Sequence, residues 1–214
     1  MLKNGFIVRD ELPYFKWSFS QFGEDLILDA FFERKDIKTG FYVEIGAFEP
    51  IFLSNTHYFY KKGWRGLCVE PNPISYHKLI EKRKEDILLN LAVSAKDGEV
   101  DFICDKACSG IMDSNYLFNH REGKQSIKVR SQTLETILAE NLPHGQRIHF
   151  MSVDCEGHDE TVLHSNDWNK FRPMMVLVED HTAGSKKSLF DFMQDKDYEF
   201  YGRSDLTVFF ADKK

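Results

Sequence analysis

The chain has 214 residues, a length that suits one α/β domain and buries enough surface to hold a core without a disulfide or metal staple. A net charge of −6 argues against nucleic acid as a partner, which asks for a basic patch or stripe. No stretch approaches the roughly 18 apolar residues of a membrane span, and the N-terminal MLKNGFIVRDELPYFKW lacks the apolar core of a signal peptide, so a cytoplasmic protein without membrane insertion is expected.

Taken in chain order, residues 20–35 (SQFGEDLILDAFFERK) carry apolar side chains at helical spacing, with Ser20 as candidate N-cap, inside an N-terminal helical segment covering about residues 1–39. A strand over 41–46 (FYVEIG) follows, then a helix over about 54–62 capped by Ser54 or Asn55. A second strand at 66–70 (GLCVE) is broken by Pro71-Asn72-Pro73, and a helix over 74–85 comes next. Its basic stretch HKLIEKRK (77–84), interleaved with Glu81, reads as a solvated helix face. Residues 87–94 and 99–104 read as neighbouring strands separated by a Lys96-Asp97-Gly98 turn. The span 105–126 is polar and irregular, a loop suited to holding an acceptor. A short strand at 127–130, a helix at 133–142 begun by Thr133, and a strand and loop at 149–157 follow. After them come a helix near 158–165, an apolar strand at 173–180 and a hairpin over 198–212. Strands alternating with helices imply βαβ units and a mostly parallel sheet covered on both faces, in one domain over 1–214. The 19 phenylalanines place aromatic rings in its core or its cleft. Cys68, Cys104, Cys108 and Cys155 form no CxxC pair, so reduced thiols are expected rather than zinc.

Ligands of an open parallel sheet bind outside the carboxyl ends of its strands. The residues there are Glu44 and Gly46, Glu70, Asn90 and Ala92, Asp154 and Glu156, and Glu179, Asp180 and His181. A dinucleotide would need GxGxxG so that backbone N–H groups reach the pyrophosphate. The first turn here is EIGAFEP, with one glycine and two carboxylates, and suits a cationic, polyhydroxylated ligand. Glu70 is placed to accept hydrogen bonds from a ribose diol, and Gly46 to let the backbone pass close under the ligand.

The segments SQFGEDLIL (20–28), FYVEIGAFEP (41–50), LSNT (53–56), GLCVEPNP (66–73), NLAVS (90–94), TLETIL (133–138) and MSVDCEGHDETVL (151–163) together resemble the FkbM methyltransferase family over most of the chain. The resemblance implies a Rossmann-like class I methyltransferase fold, of which a C-terminal antiparallel hairpin is a feature. It also implies S-adenosylmethionine as donor and a hydroxyl of a sugar or related metabolite as acceptor. By that resemblance Glu44, Gly46 and Ala47 line the methionine end of the donor. Glu70 holds the ribose, and Pro71 and Asn72 shape the adenosine pocket. Gln21, Ser54, Asn55, Asn90, Ala92 and Asp154 complete the donor-site candidates.

Asp154 after one strand and Glu179-Asp180 after the next are similar to the divalent-metal site of catechol- and macrocin-type O-methyltransferases, in which the metal lowers the pKa of the acceptor oxygen. On that reading Asp154 and Asp180 are ligands with Glu179 or His181. Carboxylates favour Mg²⁺ or Mn²⁺, and a histidine tilts the site toward Fe²⁺. Glu156 is then the candidate base, His158 the second, with Asp154 beside them. Alignment of nucleophile, methyl and sulfur supplies roughly 7–11 kcal/mol, and a base about 10²- to 10⁴-fold. His120, Arg121 and Lys124 could hold the phosphates of a nucleotide-linked sugar. Tyr14, Phe15 and Trp17 could close the cleft or form a homo-oligomer contact.

Three other readings stand beside this one. A short-chain NAD(P) reductase would use a YxxxK pair, present as Tyr58 and Lys62, but in the first helix after the first strand and without the glycine fingerprint. A module that binds S-adenosylmethionine without turnover is set against the presence of Asp154, Glu156 and Asp180. A DNA amino-methyltransferase would want a Pro-Pro-aromatic turn where this chain has Asp154-Cys155-Glu156-Gly157.

Overall fold

Residues 10, 14–105, 109–112, 126–180 and 187–214 are described by the structure, a computed structural model. The elements in chain order are α1 (Glu24–Arg34), β1 (Phe41–Ile45), α2 (His57–Lys61), β2 (Arg65–Val69), α3 (Pro73–Lys82), β3 (Ile87–Leu89), β4 (Ala92–Val93), β5 (Gly98–Ile103) and β6 (Gly110–Ile111). They continue with β7 (Ser126–Gln132), α4 (Leu134–Asn141), β8 (Phe150–Val153), α5 (Asp159–His164), β9 (Met175–Glu179), α6 (Lys187–Asp195), β10 (Tyr198–Ser204) and β11 (Thr207–Asp212). Among the described residues no helix is long and apolar enough to cross a membrane.

Seven strands form one sheet in the order β10-β11-β9-β8-β1-β2-β3. Strands β3, β2, β1, β8 and β9 are parallel, and β11 is antiparallel to both β9 and β10. The chain therefore leaves β1 in one direction through β2 and β3 and returns to its other side through β8 and β9. That reversal opens a crevice between the carboxyl ends of β1 and β8.

The two faces of the sheet are filled differently. Alternation along β1 sends Phe41, Val43 and Ile45 to one face, where they pack with Val69, Met151, Val153, Val176 and Val178 beneath α4, α5 and α6. Tyr42 goes to the other face and meets Phe32, Phe59, Trp64, Phe150 and Phe209. Much of the phenylalanine excess sits in this aromatic layer under α1 and α2. Phe150 is fully buried there, so Phe150→Ala would cost about 3–5 kcal/mol. Glu44, two residues on from Tyr42, points into the same face.

Several element bounds differ from the sequence reading. The helix assigned from Ser20 begins at Glu24, because Gly23 takes a left-handed φ of 84°; the Ser20 hydroxyl instead meets Asp25. The helix assigned from Ser54 begins at His57, with the Ser54 hydroxyl accepting the N–H groups of Thr56 and His57. Residues 87–94 form two strands rather than one, since Asn90 turns its amide onto the carbonyls of Glu70 and Pro71. After that break β4 and β5 join a second, four-stranded sheet in the order β4-β7-β5-β6. Helix α6 falls in a span to which the sequence reading assigned no element. Asn72 and Thr133 cap α3 and α4 through their side chains.

Candidate active site

The cleft at the carboxyl ends of β1, β2, β8 and β9 has a volume of about 1000 Å³ counting its open mouth. Its position follows from register. Ile45 pairs with Val69 on one side and Val153 on the other, so Gly46, Glu70 and Asp154 leave the sheet together. Gly46 has φ 82°, and a Cβ there would lie 1.9 Å from the Asp154 carbonyl oxygen. Only glycine satisfies both demands; the close neighbour under which the backbone passes is this carbonyl.

Three successive amides of the first turn are already committed and not offered to a phosphate. The N–H groups of Gly46 and Ala47 both donate to Val69 O (3.0 and 3.1 Å), and that of Phe48 donates to Glu70 Oε2 (2.7 Å). Glu70 Oε1 accepts from Asn72 N at 2.7 Å. Each Glu70 oxygen retains a second lone-pair direction for a diol. Burial pushes its carboxyl up to about 7, against the lowering effect of those two N–H groups. Glu44 is likewise pushed up to about 7 by burial, with Arg83 and the Thr56 hydroxyl acting the other way.

The strand ends of β8 and β9 supply three more carboxylates. One oxygen each from Asp154, Glu156 and Glu179 lie within 4.8 Å of one another. Burial, then the charges of Glu179, Asp159 and Glu156, hold the Asp154 carboxyl well above the usual range. The loop that carries Asp154 and Glu156 is shaped by Asp159, whose two oxygens accept the N–H groups of Cys155 (2.8 Å) and Gly157 (3.1 Å). Glu156 takes a φ of 52°, costly for a side-chain-bearing residue, and Phe48 (45°) and Leu53 (59°) in the cleft wall do the same.

Of the donor-site candidates, Gln21, Glu44, Gly46, Ala47, Asn55, Glu70, Pro71, Ala92 and Asp154 line this cleft, as do Glu156, His158 and Glu179. Ser54, Asn72 and Asn90 are not among its lining residues; they hold α2, α3 and the β2 end through the hydrogen bonds given above. Asp180 is turned away from the acidic trio, because successive residues leaving a strand point to opposite faces. Its carboxylate and carbonyl engage Arg203 of β10 (3.1 and 2.8 Å), so the structure draws Glu156 into the cluster where the sequence reading put Asp180. His181, His120, Arg121, Lys124 and Cys108 lie outside the described residues. Tyr14, Phe15 and Trp17 are exposed, and none of them lines the cleft.

Phe102, Ser109, Gly110 and Ile111 also line the cleft; they come from β5, β6 and the residue before β6, in and beside the second sheet, whose placement no local pattern announces. Arg83 was read as part of a wet face and is instead fully buried. A signal for it was present. Ser75 and Leu79 are the buried residues of α3, and Arg83 continues their four-residue spacing. Tyr58 and Lys62 both converge on the buried Asp29 (2.9 and 2.5 Å), outside the cleft.

The strand order, the C-terminal antiparallel hairpin and the cleft at the carboxyl edge define a Rossmann-like class I methyltransferase fold. The chain belongs to the FkbM methyltransferase family: the family model for the methyltransferase FkbM domain matches residues 44–200. Among solved structures it is similar to a TehB-like SAM-dependent methyltransferase from Corynebacterium glutamicum, at 10% identity and a TM-score of 0.48 over 96% of this chain and 94% of that one. A second is the 1,6-didemethyltoxoflavin-N1-methyltransferase of Burkholderia thailandensis, bound to 1,6-didemethyltoxoflavin and S-adenosylhomocysteine. It shows 10% identity and a TM-score of 0.46, with 91% of this chain and 80% of that one covered. No curated protein sequence matches the chain.

Proposed function

We propose that the protein is an S-adenosylmethionine-dependent O-methyltransferase acting on a sugar hydroxyl, with a nucleotide-linked sugar as the acceptor. One observation carries this reading. The described residues lining the cleft include five carboxylates (Glu44, Glu70, Asp154, Glu156 and Glu179) and neither lysine nor arginine. A sulfonium donor with an ammonium group fits that lining, whereas a dinucleotide's pyrophosphate would meet carboxylates and amides already spent on Val69 and Glu70. The same lining asks that the reacting part of the acceptor be uncharged and rich in hydroxyls. Phosphates of the acceptor would have to rest on other residues, for which His120, Arg121 and Lys124 are the candidates.

On this reading Glu70 receives the ribose diol, and Glu44, Gly46 and Ala47 border the methionine end. The acceptor hydroxyl lies at Asp154, Glu156 and Glu179, where Glu156 takes its proton as the methyl group moves from sulfur to oxygen. The alternative, a domain that binds the donor without turnover, predicts that Glu156→Gln changes nothing. A metal-assisted variant is favoured by the trio itself. Three carboxylate oxygens within 4.8 Å of one another match the span of ligands around a hard cation. Mg²⁺ or Mn²⁺ held there would lower the pKa of the acceptor hydroxyl. In that case Glu156 serves as a ligand and His158 is left to take the proton.

The test is the melting temperature with and without S-adenosylhomocysteine, for wild type and Glu70→Ala. Ligand at 100 times its dissociation constant adds about 2.7 kcal/mol, several degrees for a chain of this length. A wild-type shift that the variant loses supports the donor site, and no shift at saturation removes it. Turnover of nucleotide sugars with and without EDTA then separates the two versions of the acceptor chemistry.

A further inference from the structure

Arg83 has no exposed surface, yet its guanidinium reaches four groups drawn from separate parts of the chain. Nε donates to Asp86 (2.9 Å) and Nη1 to the Pro50 carbonyl (3.1 Å). Nη2 donates to the Tyr42 hydroxyl and to Thr56 Oγ1, both at 2.7 Å. Thr56, itself fully buried, lies 2.7 Å from Glu44 Oε2.

The direction of this chain of bonds is forced. Arginine has only donors, and a threonine hydroxyl has one proton and two lone pairs. Arg83 takes one lone pair. Ser54 Oγ, 3.3 Å away, already accepts the N–H groups of Thr56 and His57 and gives its own proton to the other, so the single Thr56 proton is left for Glu44. The Pro50 contact ties the same guanidinium to the turn that carries Phe48 and Leu53 into the cleft. We propose that Arg83 is a positioning residue for the methyl-donor site. It acts through Thr56 to fix the side chain of Glu44, and through Pro50 to fix the turn over the donor. This rests on the reading of Glu44 as part of that site.

The experiment measures S-adenosylhomocysteine affinity by calorimetry, and donor KM and kcat, for wild type, Thr56→Val, Thr56→Ser and Arg83→Lys. Tyr58→Phe serves as control, because it removes a buried hydrogen bond at α2 with no path to Glu44. Thr56→Val should weaken S-adenosylhomocysteine roughly ten- to hundredfold, the loss of a hydrogen bond to a charged group. Donor KM should rise with it while kcat stays within about twofold. Thr56→Ser should restore both values. Arg83→Lys, which cannot span four acceptors with one planar fork, should fall between wild type and Thr56→Val. The inference fails alone if wild type binds the ligand and Thr56→Val binds it equally well, or if Tyr58→Phe weakens it as much. Absence of binding to wild type overturns both the inference and the donor-site reading.

Discussion

The cleft has two acidic ends built on opposite principles. At the β1 and β2 end, Glu44 and Glu70 are tied to donors of fixed direction: the Thr56 hydroxyl for one, the N–H groups of Phe48 and Asn72 for the other. Behind Glu44 stands a buried arginine. At the β8 and β9 end, Asp154, Glu156 and Glu179 crowd one another, the first two on a loop whose shape depends on Asp159 and on a positive φ at Glu156. A carboxylate whose position is over-determined is suited to recognising a ligand that arrives with its charge settled. Carboxylates that repel one another are suited to a step in which a proton or a cation is taken up. Under the function proposed above, the first end recognises the donor and the second activates the acceptor.

Removing the reactive end should have the largest effect. Glu156→Gln is expected to lower kcat by about 10²- to 10⁴-fold, or about 3–5 kcal/mol of barrier. The affinity for S-adenosylhomocysteine should move by less than about threefold. Single-turnover methyl transfer set beside calorimetry reads both. Unchanged turnover would take Glu156 out of the chemistry, and a parallel loss of affinity would erase the division between the two ends.

The recognition end should show itself in the pH dependence of stability. Glu44 stands at about 7 in the folded protein against 4.5 for the free side chain. Between those values the native state binds more protons than the unfolded state. The stability that Glu44 contributes is therefore fully present below pH 4.5, declines as the pH rises, and is lost above 7. Glu44→Gln cannot ionise, so urea unfolding should give equal stabilities for variant and wild type near pH 4.5. At pH 7.5 the variant should be ahead by something of the order of 3 kcal/mol. A constant gap would show that burial does not govern Glu44.

Next comes the joint between the two ends. Gly46→Ala puts a Cβ against the Asp154 carbonyl at a positive φ, and should cost about 1–3 kcal/mol of stability. It should also weaken the donor and slow turnover together, because Asp154 is displaced. A melting curve with the two kinetic constants checks it. Loss of stability with both constants intact would mean that the two ends are not coupled through this contact.

The parallel sheet and its carboxyl edge were legible because they depend on local pattern: FYVEI and HFMSVDCEG announce strands that end in carboxylates. The element bounds that differed depended on groups far apart in sequence. Nothing in ILLNLAVS marks Asn90 as the break, since the carbonyls that hold it belong to Glu70 and Pro71. Glu156 joins the acidic trio, and Asp180 leaves it, through the alternation of side chains at the end of β9 and the presence of Arg203 on β10. Arg83 was hidden in a run of three cations. Its partners Tyr42 and Thr56 stand 41 and 27 residues away, and only the row with Ser75 and Leu79 marks the buried face.

Tyr58 and Lys62 supply the smallest effect and the sharpest control. Their YxxxK spacing suggests reductase chemistry, but both side chains are spent on Asp29, a buried carboxylate of α1. Tyr58→Phe removes one hydrogen bond to that carboxylate and leaves Lys62 to neutralise it. The expected loss is about 1–2 kcal/mol, a few degrees in melting temperature, with donor affinity and turnover unchanged. A fall in turnover without a matching fall in stability would mean that α2 serves the reaction by more than packing. The boundary drawn at Thr56 between scaffold and donor site would then have to move along the helix.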